Sequence, residues 1–237
     1  MSSFEKVILA SGDRPGLDEG QNATRHYSET FSREAALWLR NLSEFHNLGS
    51  VTLLPEAKVD TIYGINNRGK SLDVAALDDR GYLVSNLSIK SFHFKDRRTN
   101  NYRKNFTGRF YELLGETFDL YQSYKYAMMS AIIIMPVDST EDSNPSSFAL
   151  AVKQYSKILR DRNTYVLGFD FVHIALYDKN GINFFDARKI PAAHGMPKSN
   201  TLLETHELFE NFSLFIKSER VHLAASPLPA YKEFKFE

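Results

Sequence analysis

The chain has 237 residues, 43% of them hydrophobic, and its 29 basic and 29 acidic side chains leave no formal net charge. That size and apolar content argue against a disordered chain and suffice for a well-packed core. The charge balance excludes a protein-wide basic field, so any affinity for a polyanion has to come from local patches. There is no Cys, which excludes disulfides and thiolate metal sites. The start, Met1-Ser2-Ser3-Phe4-Glu5-Lys6, lacks a basic region followed by a long apolar one, and no apolar run approaches the ~18 residues of a membrane span. The expectation is a cytoplasmic protein with no membrane partner. No repeat, heptad, low-complexity tract or linker divides it, so residues 1–237 are read as a single domain.

Val7 to Ala10 is a short apolar run, and Gly12 to Gln21, rich in Gly, Asp and Pro, reads as a loop. From Thr30 to Phe45 the residues Phe31, Ala35, Trp38, Leu39, Leu42 and Phe45 recur at helical spacing. Glu34 sits beside that stripe. It reads either as a carboxylate turned toward the core or as a first-turn surface acid favoured by the helix dipole. Val51 to Leu54 and Thr61 to Ile65 read as strands, and Asn66-Asn67-Arg68-Gly69 as a turn leading into the next strand. The result is a three-strand meander ending at Lys90.

Leu72 to Leu77 and Tyr82 to Ile89 are apolar runs flanking Asp78-Asp79-Arg80-Gly81, which predicts a β-hairpin. Asp73 on its first strand and Lys90 near the end of its second are charges set among apolar neighbours. A buried charge is costly unless paired or bound to a cation. After the hairpin, Lys95, Arg97, Arg98, Arg103 and Lys104 are interleaved with His93, Phe94 and Tyr102 in a polar run. Such a run is either a solvated loop or a surface that contacts phosphates and reaches base edges.

Phe106 to Tyr124 predicts a helix with a stripe through Phe110, Leu113, Leu114, Thr117, Phe118 and Tyr121. Glu112 and Glu116 stand four apart beside it, with Arg109 three residues before Glu112. Ala127 to Val137 is continuously apolar and reads as a strand buried on both faces. Next come a loop (Asp138 to Ser147) and an amphipathic helix (Phe148 to Arg160). A second hairpin follows, from Phe169 to Phe185, turning at Asp178 to Gly181. A helix around Leu202 to Ile216 and an aromatic tail close the chain. The seven His residues show no close ligand spacing. Phosphate-loop, dinucleotide, zinc-protease and hydrolase-elbow motifs do not occur.

An Asp on one strand, a turn, and an apolar strand ending in (Asp/Glu)-x-Lys make up the core pattern of the PD-(D/E)XK nuclease superfamily, which includes many restriction endonucleases. Residues 73–90 resemble it. Asp73 takes the first position and Lys90 the last, while Ser88 stands at the middle acid and Leu72 where the Pro would be. The ordered set of elements extends the resemblance over roughly residues 28–137, with the C-terminal part completing the sheet and DNA or dimer contacts.

The resemblance implies an α/β (α+β) fold, a restriction-endonuclease-like central mixed sheet flanked by helices. It also implies a Mg²⁺-dependent endodeoxyribonuclease, of the type II restriction kind, that cuts double-stranded DNA as a homodimer and accepts Mn²⁺ in place of Mg²⁺. Asp73, a second carboxylate and the carbonyl of Ile89 would hold the metal, Lys90 would orient the attacking water, and Ser88 would reach the metal weakly or through water. Some members that lack the middle acid recruit a Glu from the following helix, which brings in Glu112 and Glu116. Glu116 is preferred, because Gly115 beside it permits close approach and Arg109 can hold Glu112. Others use a Glu in the helix before the Asp strand, where Glu34 lies. Lys95, Arg97, Arg98, Arg103, Lys104 and Arg109 would face DNA. Two other readings stay open: a non-catalytic nucleic-acid-binding or defence-system module with the same fold, and an unrelated interaction domain in which Asp73 and Lys90 pair across the hairpin.

Overall fold

A computed structural model describes residues 4–16, 19–45, 52–53, 62–63, 69–70, 72–77, 83–124, 127–159, 168–204, 206–212 and 214. The chain begins with α1 (Glu5–Ser11) and α2 (Gly20–Phe45), followed by the short strands β1 (Thr52–Leu53), β2 (Ile62–Tyr63) and β3 (Gly69–Lys70). Then come β4 (Val74–Leu77), β5 (Leu83–Ser91), α3 (Phe106–Ser123), β6 (Met128–Pro136) and α4 (Ser147–Tyr155). The last strands are β7 (Phe171–Asp178), β8 (Gly181–Asp186) and β9 (Leu202–Leu203), and residues 206–212 are helical.

Among the described residues seven strands form one mixed sheet in the order β1-β4-β5-β6-β7-β8-β9. The central pairs β5/β6 and β6/β7 are parallel, and the outer pairs are antiparallel. A parallel pair needs a long crossover. Here α3 supplies the one between β5 and β6, and α4 the one between β6 and β7. All nine residues of β6 are buried, as its unbroken apolar sequence predicts for a central strand covered on both faces. Successive side chains point to opposite faces. Ala131, Ile133 and Met135 join the core under α3 and α4, and Ile132 and Ile134 join the core under α1 and α2. The protein is therefore mixed α/β, with helices on both faces of the sheet.

Several sequence expectations need correction. The expected meander does not form. β2 pairs with β3 as a separate two-stranded sheet, and the neighbour of β4 is β1, with Thr52 opposite Leu77 and Leu53 opposite Ala76. Gly69 and Lys70 close locally onto Ile62 and Tyr63, which leaves the edge of β4 to the Thr52–Leu53 segment. The helix expected from Thr30 starts at Gly20. Its first turns face a polar cleft, so the apolar periodicity appears only further on. Leu202 and Leu203 are strand, not helix, because the free edge of β8 pairs them with Phe185 and Phe184. The second hairpin forms as expected, with the Asp178 carboxylate accepting from the N–H groups of Asn180 (2.8 Å) and Gly181 (3.2 Å). The 78–81 turn, Arg160, Ile216 and the aromatic tail lie outside the described residues.

Candidate functional site

In β5 the even-numbered positions Asn86, Ser88 and Lys90 share a face by the period-2 rule. Leu87 and Ile89 face the opposite core. The even face is covered by α3, whose Leu113 and Leu120 are fully buried, and Glu116 projects from the same helix into the seam. Its carboxylate meets all three strand residues. Ser88 Oγ donates to Glu116 Oε1 at 2.6 Å, Asn86 Nδ2 donates to the same oxygen at 3.4 Å, and Lys90 Nζ lies 3.7 Å from Oε2. Asn86 Nδ2 also donates to Ser88 Oγ at 3.0 Å. The Glu116 side chain is 8% exposed and that of Lys90 16%. The two charges are thus largely removed from water; they compensate each other, and Glu116 is further held by the Ser88 and Asn86 donors.

Asp73 lies just before β4. The antiparallel register pairs Val74 with Leu87, so its continuation sets Asp73 opposite Ser88. Its Oδ2 accepts from the Ile89 backbone N–H at 2.6 Å, a charge-assisted bond that fixes the carboxylate beside the strand. Asp73, Ile89 and Lys90 together form part of the wall of a cleft of about 1090 Å³.

The other walls are α2 and the loop after β5. From α2 come Thr24, Ser28 and Ser32, four apart, and Arg25, Glu29 and Arg33, also four apart. Ser32 Oγ is 3.2 Å from Ser91 Oγ and ties this helix to the end of β5. From the loop and the start of α3 come Lys95, Arg97, Lys104 and Arg109. Counting Lys90, the described residues of the lining include seven cations and two carboxylates, Asp73 and Glu29. Five of these cations are paired with carboxylates, Arg25 with Glu29, Arg33 with Glu34, Lys90 with Glu116, Lys95 with Asp138 and Arg109 with Glu112, so the wall is rich in cations whose charge is largely compensated.

The loop is ordered by its own polar groups. Asp96 Oδ1 accepts from the N–H groups of Arg98 and Thr99, both at 3.0 Å. Tyr102, buried at its far end, donates its hydroxyl to Asp138 at 2.6 Å. Asn105 takes φ = 68° just before α3, a left-handed conformation that Asn tolerates better than most residues. Beneath the loop, His93 is buried and its Nδ1 pairs with the Tyr177 hydroxyl at 2.7 Å. Burial, reinforced by the Arg14 charge, pushes His93 down to about 3, so it is neutral at ordinary pH.

The structure separates the sequence candidates. It joins Ser88, Lys90 and Glu116 in one buried cluster and Asp73 to Ile89; Asp73, Ile89 and Lys90 line the cleft, whereas Ser88 and Glu116 lie outside its lining. Glu112 is half-exposed and tied to Arg109 at 2.7 Å, the alternative foreseen for it. Of the two reasons for preferring Glu116, the Arg109 hold on Glu112 is present, but close approach at Gly115 is not, because Gly115 is exposed and a Cβ there would meet nothing. What selects Glu116 is its orientation toward β5. Glu34 is outside the cleft lining. It bonds Arg33, and since α2 begins at Gly20 it is mid-helix rather than in a first turn. Arg98 and Arg103 also lie off the cleft. Asn86, Arg25, Glu29 and Arg33 were missed. The signals were a polar residue at every second position of β5, Asn-x-Ser-x-Lys, and the i, i+4, i+8 polar series in residues 24–33.

The groups the resemblance would offer to a metal are the Asp73 and Glu116 carboxylates and the Ile89 carbonyl. These are hard oxygens and suit Mg²⁺ in kind. Among the described residues no three His, Cys, Asp or Glu side chains gather as a metal group, so water or substrate oxygens would complete the shell. Comparison with protein-family models, with curated proteins and with solved structures gave no match. Among the described residues no helix is long and apolar enough to cross a membrane.

Proposed function

We propose that the chain is a metal-dependent DNA endonuclease of PD-(D/E)XK type, in which α3 supplies the acid that β5 lacks. The observation that carries this reading is the seat of Glu116: its carboxylate rests on the Ser88 hydroxyl at 2.6 Å and faces Lys90 at 3.7 Å, where the family pattern calls for an acid two residues before the Lys. Asp73 and Glu116 are the carboxylates that would hold Mg²⁺, with the Ile89 carbonyl as a further oxygen ligand. When bound, the ion lowers the pKa of a water and neutralises charge on the scissile phosphate.

The remaining work falls to the chain's own groups. The Ile89 N–H holds the Asp73 carboxylate in place. The Lys90 ammonium, positioned by Glu116, donates to the attacking water and to a phosphate oxygen. Lys95, Arg97, Lys104, Arg109, Arg25 and Arg33 line a concavity suited to a phosphodiester backbone. A homodimer would present one such cleft to each strand of a duplex. Purified protein incubated with plasmid and phage DNA in Mg²⁺ should give discrete fragments, and EDTA should abolish them.

One observation favours a second reading, a non-catalytic DNA-binding module: Glu116 is buried against Asn86, Ser88 and Lys90 and does not line the cleft. Binding of duplex DNA without cleavage in either Mg²⁺ or Mn²⁺ would decide for it.

A further inference from the structure

A second concavity, of about 450 Å³, lies between the start of α3 and the outer side of α4. Phe110 and Leu150 contribute apolar surface to it, and the Tyr111 ring, 65% exposed, stands at its lip. Its charged lining residues are Arg103, Lys153 and Lys157, and among the described residues no carboxylate lines it. The adjacent acid, Glu112, is tied to Arg109. Exposed aromatic surface whose charged neighbours among the described residues are all cations matches a strand of nucleic acid: phosphates take the cations, and sugars and bases lie on the apolar floor.

The position of the groove identifies which strand. Arg103 and Lys104 are consecutive, yet Lys104 lines the cleft and Arg103 the groove. One turn further on, Arg109 faces the cleft while Phe110 and Tyr111 face the groove. The loop end and the first turns of α3 therefore form a ridge with a basic concavity on each side. We infer that the groove binds the flank of the same DNA whose scissile segment occupies the cleft, through phosphate contacts from Arg103, Lys153 and Lys157. This rests on the nuclease reading, and it adds a contact surface outside the reacting centre that sets how much DNA the protein needs.

The test uses the full chain in EDTA, which prevents cleavage, with labelled duplexes of about 12 and about 30 base pairs, the longer reaching past the cleft at ~3.4 Å per pair. Wild-type protein should bind the long duplex at least about tenfold more tightly, with a steeper salt dependence. The Lys153→Glu/Lys157→Glu variant should lose that advantage and leave affinity for the short duplex unchanged. Lys153→Gln/Lys157→Gln should lower the log–log salt slope on the long duplex by about 0.9 per lost contact, which preserves the test if charge reversal impairs folding. Equal affinity for both lengths, or variants that bind the long duplex like wild type, would overturn the groove while leaving the cleft reading intact. If no duplex of either length binds, the nuclease reading fails and the groove assignment fails with it. A change in sedimentation of the DNA-free variants would make the groove a contact between copies of the chain, and would also overturn the proposal.

Discussion

The Ser88 hydroxyl donates to the Glu116 carboxylate across 2.6 Å, joining a strand to a helix 28 residues away in sequence. A Glu at position 88 would place its own carboxylate where Glu116 now sits, so the two positions are alternative sources of one negative charge. Glu116→Gln should abolish Mg²⁺-dependent cleavage, and Ser88→Glu added to that variant should restore part of it. Glu112→Ala, which alters only an exposed pair with Arg109, should cut like wild type. The outcome that sinks the assignment is Glu116→Gln cutting normally.

Asp73 and Lys90 make separable contributions. Asp73→Asn keeps an oxygen for the Ile89 N–H and removes the charge, so it should fold and bind DNA but not cleave. Lys90→Met leaves Glu116 buried without its cation, an arrangement that typically costs about 3–5 kcal/mol in a buried pair. The partial exposure of Lys90, 16%, places the expected loss at the low end of that range. Urea titration alongside the cleavage assay distinguishes a dead site from an unfolded one, and a folded Lys90→Met that cuts at wild-type rate would refute its role.

The cations divide by where they point. Replacing Arg97 and Lys104, both in the cleft wall, with Ala should weaken DNA binding and flatten its salt dependence by about 0.9 in log–log slope per lost phosphate contact. Arg98 is exposed and off the cleft, so Arg98→Ala should leave the slope where it was. A larger effect at Arg98 than at Arg97 would show that DNA does not follow this wall.

Two buried histidines set an acid limit on stability. Burial holds His93 at about 3 and His173 at about 4. Arg14 lowers His93 further, while Tyr177 and Tyr27 pack around it. Asp186 raises His173, and Arg188 and Lys189 lower it. The unfolded chain takes up these protons as pH falls through about 6.5, and the folded chain does not. Stability is therefore fully present above about pH 6.5 and declines as pH falls toward the folded values, by up to about 1.4 kcal/mol per pH unit for each His. Urea midpoints measured from about pH 7 to about pH 5 should fall in wild type and fall less steeply in His93→Gln. Identical slopes would show that His93 is already protonated in the folded protein.

The sequence by itself determined the elements whose apolar pattern is continuous. β6 reads as a strand covered on both faces, α3 as an amphipathic helix, and the hairpin carrying Asp73 and Lys90 as two apolar runs interrupted by charge. Those patterns are local, because burial dictates residue type at each position of an element. Which acid answers Ser88 was legible only as a choice between Glu112 and Glu116. Both are acids on the same helix, and only the packing of Leu113 and Leu120 against the sheet turns one toward β5 and leaves the other in solvent. Strand neighbours were less legible still. Thr52–Leu53 at the edge of β4 and Leu202–Leu203 at the edge of β8 are two-residue pairings chosen by open hydrogen-bonding edges rather than by their own composition. The polar half of α2 was hidden for the same reason: residues lining a cleft carry no apolar periodicity, and only the tertiary structure brings them opposite Asp73 and Lys90.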